Sequence, residues 1–97
     1  MSAFLISFSS QHSNDPAWLE EYGKKVKPIL EKHGGEILSR GMPNVYERGK
    51  KWEKATLIKF PSSEKATSFM EDPDYQHIKG LRIFHTSGEL YLLNGQT

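Results

Sequence analysis

Gly34-Gly35-Glu36-Ile37-Leu38-Ser39-Arg40-Gly41 joins the end of a helix to the start of a strand with almost no chain between them. Gly34 can leave a helix through the left-handed region because it has no Cβ to clash. Gly35 to Arg40 then begins a strand. Downstream, Phe60-Pro61-Ser62-Ser63-Glu64-Lys65-Ala66 makes the opposite junction. A strand ends at Phe60, and Ser62 caps the free N–H groups of a short helix that turns Ala66, Phe69 and Met70 inward.

Upstream of Gly34, the residues Trp18, Leu19, Tyr22, Val26, Ile29, Leu30 and His33 recur at helical spacing and mark a buried stripe. Asp15-Pro16 opens that helix, with Asp15 as a cap and Pro16 suited to its first position. Pro28 lies inside it, at a cost of about 3 kcal/mol against alanine, so a kink is expected near Lys24. Before the helix, Ala3 to Phe8 reads as a strand, with Phe4, Ile6 and Phe8 on one face and Ala3, Leu5 and Ser7 on the other.

After Arg40, a break at Gly41-Met42-Pro43 is expected to hold a bulge or bend, because Pro43 cannot donate to a ladder. The strand is expected to resume over Val45 to Glu47. A charged hairpin tip from Arg48 to Glu53 follows, and Lys54 to Phe60 returns antiparallel. Asp72-Pro73 repeats the cap-plus-proline device and starts a further helical turn through Tyr75 and Ile78 to Gly80. The last strand spans at least Glu89 to Leu93. The order is β-α-β-β-α-β, the α+β ferredoxin-like plan with a four-stranded antiparallel sheet.

Helices in that plan cover one sheet face only, yet apolar residues stand on both. Leu5 opposes Phe4, Ile6 and Phe8; Leu57 opposes Ile58 and Phe60; Leu90 and Leu92 oppose Tyr91 and Leu93. A sheet apolar on both sides is covered on both sides. The simplest second cover is another copy of the same sheet, giving a homodimer with an interface of about 2,000 Å² or more.

Composition narrows the remaining classes. Residues 1–97 read as one domain, with no repeat, linker or low-complexity tract. The absence of cysteine rules out disulfides, thiolate metal sites and a cysteine nucleophile, and suits a cytoplasmic location. The opening Met1-Ser-Ala-Phe-Leu-Ile-Ser-Phe lacks the basic region of a signal peptide. No segment reaches the ~20 apolar residues of a membrane span. A net charge of +1 gives no field that would draw the chain to nucleic acid or a membrane. His12 and His33 have no partners at metal-ligand spacing, and Gly34-Gly35 follows a helix, so it is a C-cap and not a phosphate loop. No metal and no tightly bound cofactor is called for.

The chain resembles the family labelled domain of unknown function 1330, in the dimeric α+β barrel superfamily. The likeness rests on Gly34-Gly35 through Arg40-Gly41, the hairpin ending in Trp52, Phe60-Pro61-Ser62 and Ala66. It continues through Asp72-Pro73-Asp74-Tyr75-Gln76, Arg82 and Leu92-Leu93-Asn94-Gly95. The resemblance implies the fold and dimerisation; the family carries no assigned reaction. Its distant relatives include cofactor-free monooxygenases, lactone isomerases and haem-handling enzymes. Gly80, where relatives carry better helix formers, is expected to shorten the helix before Arg82. His85 is a second departure, in a segment that relatives fill with small residues.

Five residues stand out as candidate ligand contacts: Arg40, Trp52, Tyr75, Arg82 and His85. Arg40 offers a guanidinium to a carboxylate or enolate, and its structural alternative is an ion pair with Glu47 or Glu36. Arg82 and His85 form a possible charge stabiliser and acid–base pair, or His85 merely satisfies backbone in an irregular crossover. Trp52, among basic residues, can stack on a planar anion or fold onto its own protein. Tyr75 either turns its hydroxyl into a cavity or packs half-buried. The leading expectation is a homodimer that binds a small molecule beside the sheet. The alternatives are a cofactor-free monooxygenase or isomerase acting on an aromatic or enolisable substrate, haem binding through His77 or His85, and a partner-binding domain that uses the basic hairpin.

Overall fold

The two junctions read from the sequence touch each other in space. Gly34 leaves the first helix at φ +76°, and a Cβ built on it would lie 2.9 Å from the Pro61 ring. A Cβ on Gly35 would lie 2.7 Å from Leu30 and 2.9 Å from Phe60. The helix-to-strand and strand-to-helix turns thus pack as one unit, and glycine is what permits that approach.

The computed structural model describes residues 1–12 and 15–95. Its elements are β1 (Ala3–Gln11), α1 (Ala17–Lys32), β2 (Glu36–Gly41), β3 (Lys54–Phe60), α2 (Ser63–Glu71), α3 (Pro73–His85) and β4 (Thr86–Asn94). All strand pairs are antiparallel, in the order β2-β3-β1-β4, as the ferredoxin-like plan requires. Among the described residues no helix is long and apolar enough to cross a membrane.

Local chemistry sets the boundaries. Ser62 is the N-cap of α2, its Oγ accepting the Lys65 N–H at 3.2 Å. At α1 the N-cap position falls on Pro16 with no side-chain cap bond, and Asp15 Oδ1, one residue earlier, accepts the Ala17 N–H at 2.9 Å. The α1 helix is continuous across Pro28, whose ring stands on the exposed side.

Three expectations are corrected. The strand that ends at Gly41 does not resume over Val45 to Glu47; Met42 to Glu53 form an irregular excursion. The irregularity of β2 lies inside the strand, between Ile37 and Ser39, and not at Pro43. Gly80 does not end α3, which continues through Arg82 to His85. A glycine costs about 1 kcal/mol in a helix, less than the capping by Asp72 and the burial of Tyr75 and Ile78 return. His85 is therefore the last residue of a helix and not part of a loose crossover.

The core fills one end of the space between sheet and helices. Leu5 and Phe60 from the sheet meet Ile29 and Leu30 of α1, Ala66 and Phe69 of α2, and Tyr75 and Ile78 of α3. Phe69 lies between two aromatic rings, 5.6 Å from Phe60 and 4.5 Å from Tyr75 by centroid, spacings typical of attractive aromatic pairs. On the opposite sheet face stand Phe4, Ile6, Phe8, Leu57, Tyr91 and Leu93, which no helix covers. Leu93 is 57 % and Tyr91 53 % exposed.

At the α2–α3 joint sits Asp72, a buried carboxylate, 6 % exposed. Its Oδ1 accepts the Asp74 N–H at 2.8 Å and caps α3. Its Oδ2 lies 2.6 Å from His33 Nε2 and 3.0 Å from Lys32 Nζ at the end of α1. These contacts, His33 first, then the Asp74 amide and Lys32, hold its pKa well below the carboxylate range. A group whose pKa is depressed on folding stabilises the fold above its unfolded value and loses that contribution as pH falls through the folded value. Thermal melts of Asp72→Asn should show a Tm lower by about 5 °C or more at neutral pH. The gap to the parent chain should narrow as pH falls below about 4; a gap independent of pH would show that the charge of Asp72 is not what stabilises the joint.

Candidate functional site

Polar residues on the helix-facing side of the sheet mark where the core stops. Along β1 that face carries Ala3, Leu5, Ser7 and Ser9, and its register partners on β3 are Phe60, Ile58, Thr56 and Lys54. The apolar half is sealed by the helices. The half floored by Ser7, Ser9 and Thr56 is not, because hydroxyl side chains gain little from burial against a helix. Here α1 packs mainly along α3, while α2 and α3 lie against the strands. Between α1 and the sheet a cavity of about 440 Å³ remains. Gly23 of α1 lines it, and a Cβ there would meet nothing within 4 Å. The remaining walls are mostly aliphatic, from Leu5, Val26, Ile58 and Leu90.

The irregularity in β2 decides what the cavity contains. Ile37 pairs with Ile58, Ser39 with Leu57 and Arg40 with Thr56. Leu38 is the extra residue of a β-bulge, which shifts side-chain alternation by one. Ile37 and Arg40 consequently share the helix-facing side, and both line the cavity. Lys54, opposite Ser9, joins Arg40 there. Burial first, and the Arg40 charge second, hold the Lys54 ammonium below its ordinary pKa.

Facing these two cations, α3 contributes Tyr75 and Arg82. Arg82 Nη2 donates to Tyr75 Oη at 3.3 Å. From α1, the Tyr22 phenol interacts with the same pair. Burial is the main cause that pushes Tyr22 well above the usual tyrosine range, with Tyr75 adding to it. At neutral pH Tyr22 is thus a hydrogen-bond donor and not a base.

Of the candidate residues read from the sequence, the structure brings Arg40, Tyr75 and Arg82 to one cavity. His85 lies behind Trp18, their rings stacked with centroids 5.1 Å apart and an interplanar angle of 4°. Trp18 lines the cavity and His85 does not. Trp18 Nε1 and His85 Nδ1 are both buried with no hydrogen-bond partner among the described residues. Trp52 is outside the lining, with Lys50 Nζ 4.3 Å above its ring, a cation–π contact within its own loop. The sequence reading did not single out Tyr22, Lys54 or the hydroxyl floor. Their signal was present as Ser7 on the same strand face as Leu5, and as Tyr22 within the apolar stripe of α1. Among the described residues no group of three or more His, Asp or Glu converges as a metal site would.

A family model matches residues 2–96. The chain belongs to the family described as a domain of unknown function, DUF1330. No curated protein matches this DUF1330 chain in sequence. Among solved structures it is similar to a protein of unknown function from Rhodopseudomonas palustris, with 17 % identity, a TM-score of 0.76, and coverage of 99 % of this chain and 83 % of the other. It is also similar to SnoaB, a cofactor-independent oxygenase from Streptomyces nogalater, with 11 % identity, a TM-score of 0.70, and coverage of 99 % and 94 %. A third is a dimeric protein of unknown function with a ferredoxin-like fold from Bacteroides fragilis, with 10 % identity, a TM-score of 0.62, and coverage of 97 % and 96 %. At these identities the likeness shows the fold of the DUF1330 chain and no more.

The Tyr22 environment gives a direct check on the cavity wall. Above pH about 10 the unfolded phenol ionises while the folded one stays neutral. Stability contributed by Tyr22 is therefore present below that pH and lost as pH rises through the raised folded value. Ultraviolet difference titration should show one tyrosine resisting ionisation until the chain unfolds, and Tyr22→Phe should remove that class. All tyrosines titrating together near 10 would contradict the buried cluster.

Proposed function

We propose that this DUF1330 chain is a cytoplasmic, homodimeric protein that binds a small molecule in the cavity between α1 and the sheet. The observation that carries the reading is the cavity itself. Its volume of about 440 Å³ falls in the range of small-molecule sites, and its make-up is theirs too, mostly apolar with a few convergent polar groups. Arg40, Tyr75 and Arg82 are its polar contacts, with Tyr22 and Lys54 beside them. Trp52 and His85 serve the fold around it.

Dimerisation through the open sheet face is supported by the row of uncovered apolar residues on β1, β3 and β4. It is supported also by the dimeric state of the Bacteroides fragilis relative in fold. In such a pair the two sheets stack face to face, each keeping its own cavity on the outer, helical side.

A second reading, a cofactor-independent oxygenase or an isomerase, is favoured by the fold shared with SnoaB. It needs a base near the substrate. The imidazole expected for that task stands one layer behind Trp18, and Tyr22 is held protonated. Binding is therefore the better-supported reading.

Two measurements test the proposal. Titration calorimetry with a neutral bicyclic aromatic, 2-naphthamide, should show one site per chain. Gly23→Phe, which extends a side chain into open space, should weaken binding about tenfold or more without lowering the Tm. Unchanged affinity would place the ligand elsewhere. Light scattering should give twice the chain mass of 11.1 kDa, and Ile6→Glu, on the open face, should halve it. A monomeric parent chain would sink the dimer.

A further inference from the structure

The cavity holds positive charge that the protein does not neutralise. Arg40, Lys54 and Arg82 line it, and among the described residues no aspartate or glutamate does. Among the described residues the ion pairs are formed by Lys24, Lys25, Lys32 and His33, and none involves these three cations. Glu53, next to Lys54 in the chain, lines an adjoining depression that shares Lys54 with the cavity, and it accepts the Gln11 N–H at 2.6 Å. The imbalance is local, since the whole chain carries a net charge of only +1.

The Lys54 ammonium is held at a cost, part-buried beside the Arg40 charge. Arg82 is half-buried and its named partners are phenols, Tyr75 and Tyr22, which satisfy N–H groups without cancelling charge. Arg40 and Lys54 stand on adjacent strands close enough to repel. A buried charge without a counter-charge is unfavourable, and like charges brought together add to this. An anion in the cavity relieves both. It would accept from the Arg82 guanidinium, with the hydroxyls of Tyr22 and Tyr75 as further donors, while its apolar body lies against Val26, Ile58 and Leu90.

Resting on the binding reading above, we infer that the ligand is an amphipathic monoanion, a carboxylic acid on a one- or two-ring or equivalent aliphatic body, whose carboxylate pairs with Arg82. Planar guanidinium recognition of a carboxylate is strong because two parallel N–H donors meet two oxygens. Arg40 and Lys54 raise the local potential at the same cavity and favour entry of an anion.

The experiment is a titration of the intact protein with 2-naphthoate and with its neutral isostere, 2-naphthamide. Naphthoate should bind at least about tenfold more tightly, the scale of a charge-assisted hydrogen-bond pair. In Arg82→Gln the two should bind alike, whereas Arg82→Lys should keep part of the preference. The comparison in the unmutated chain stands even where an Arg82 variant fails to fold. Equal binding of the two probes to the unmutated chain overturns the anion inference and leaves the cavity reading standing. A preference that survives in folded Arg82→Gln overturns Arg82 as the anchor. Binding of neither probe at about millimolar concentration overturns the cavity reading and this inference together.

Discussion

Everything in the helical layer is hung from Asp72. One carboxylate caps α3, receives His33 and Lys32 from the end of α1, and sits where α2 gives way to α3. Its carboxylate and His33 are both largely buried, so that contact is weakly screened, while the Lys32 that joins it stands in solvent. The effect is to tie the C-terminal end of α1 to the α2–α3 joint. Around that point Ile29 and Leu30 join the core, with the Gly34–Pro61 packing directly below.

Away from the fixed point, α1 follows α3 rather than the sheet, and the cavity is the space this leaves. Several residues keep that space open by what they lack. Ser7, Ser9 and Thr56 do not supply the apolar bulk that would draw α1 down, and Gly23 supplies no side chain at all. A domain of this size has a modest core to begin with, and leaving half its helix-facing sheet unsealed is a further loss of stability. Binding sites commonly carry such a loss, which gives the unfilled volume a rationale that packing alone does not.

Much of the fold was legible because its punctuation is local. Caps at Ser62 and Asp72 and the glycine exit at Gly34 act within a few residues, and each stands where the local residues place it; the start of α1 falls one residue later than Asp15-Pro16 implies. Gly80 by itself implies a shorter α3; the burial of Tyr75 and Ile78, which local sequence does not show, carries the helix on to His85. The candidate site was legible only in part. Arg40, Tyr75 and Arg82 were recognisable as chemistry, but their meeting depends on which way each element faces, a property of long-range packing. His85 was misplaced for the same reason as the end of α3, since a residue on the last helical turn points by helix periodicity and not along a crossover.

Strand β2 carries a message in its residue count that its composition does not show. With strict alternation, Arg40 would face away from Ile37, onto the face shared by Phe4 and Tyr91, and Ser39 would take its place in the cavity. The bulge at Leu38 reverses that assignment and sends the guanidinium to the cavity side, keeping a charge out of the apolar face. Two chains with the same residues here, one bulged at Leu38 and one paired without a bulge, would therefore differ in both properties at once. One would have a charged cavity and an apolar outer sheet, and the other a neutral cavity and a charge on the surface where a partner would pack. When related chains are compared, whether β2 bulges between the Gly34-Gly35 turn and the arginine is thus as informative as the arginine itself.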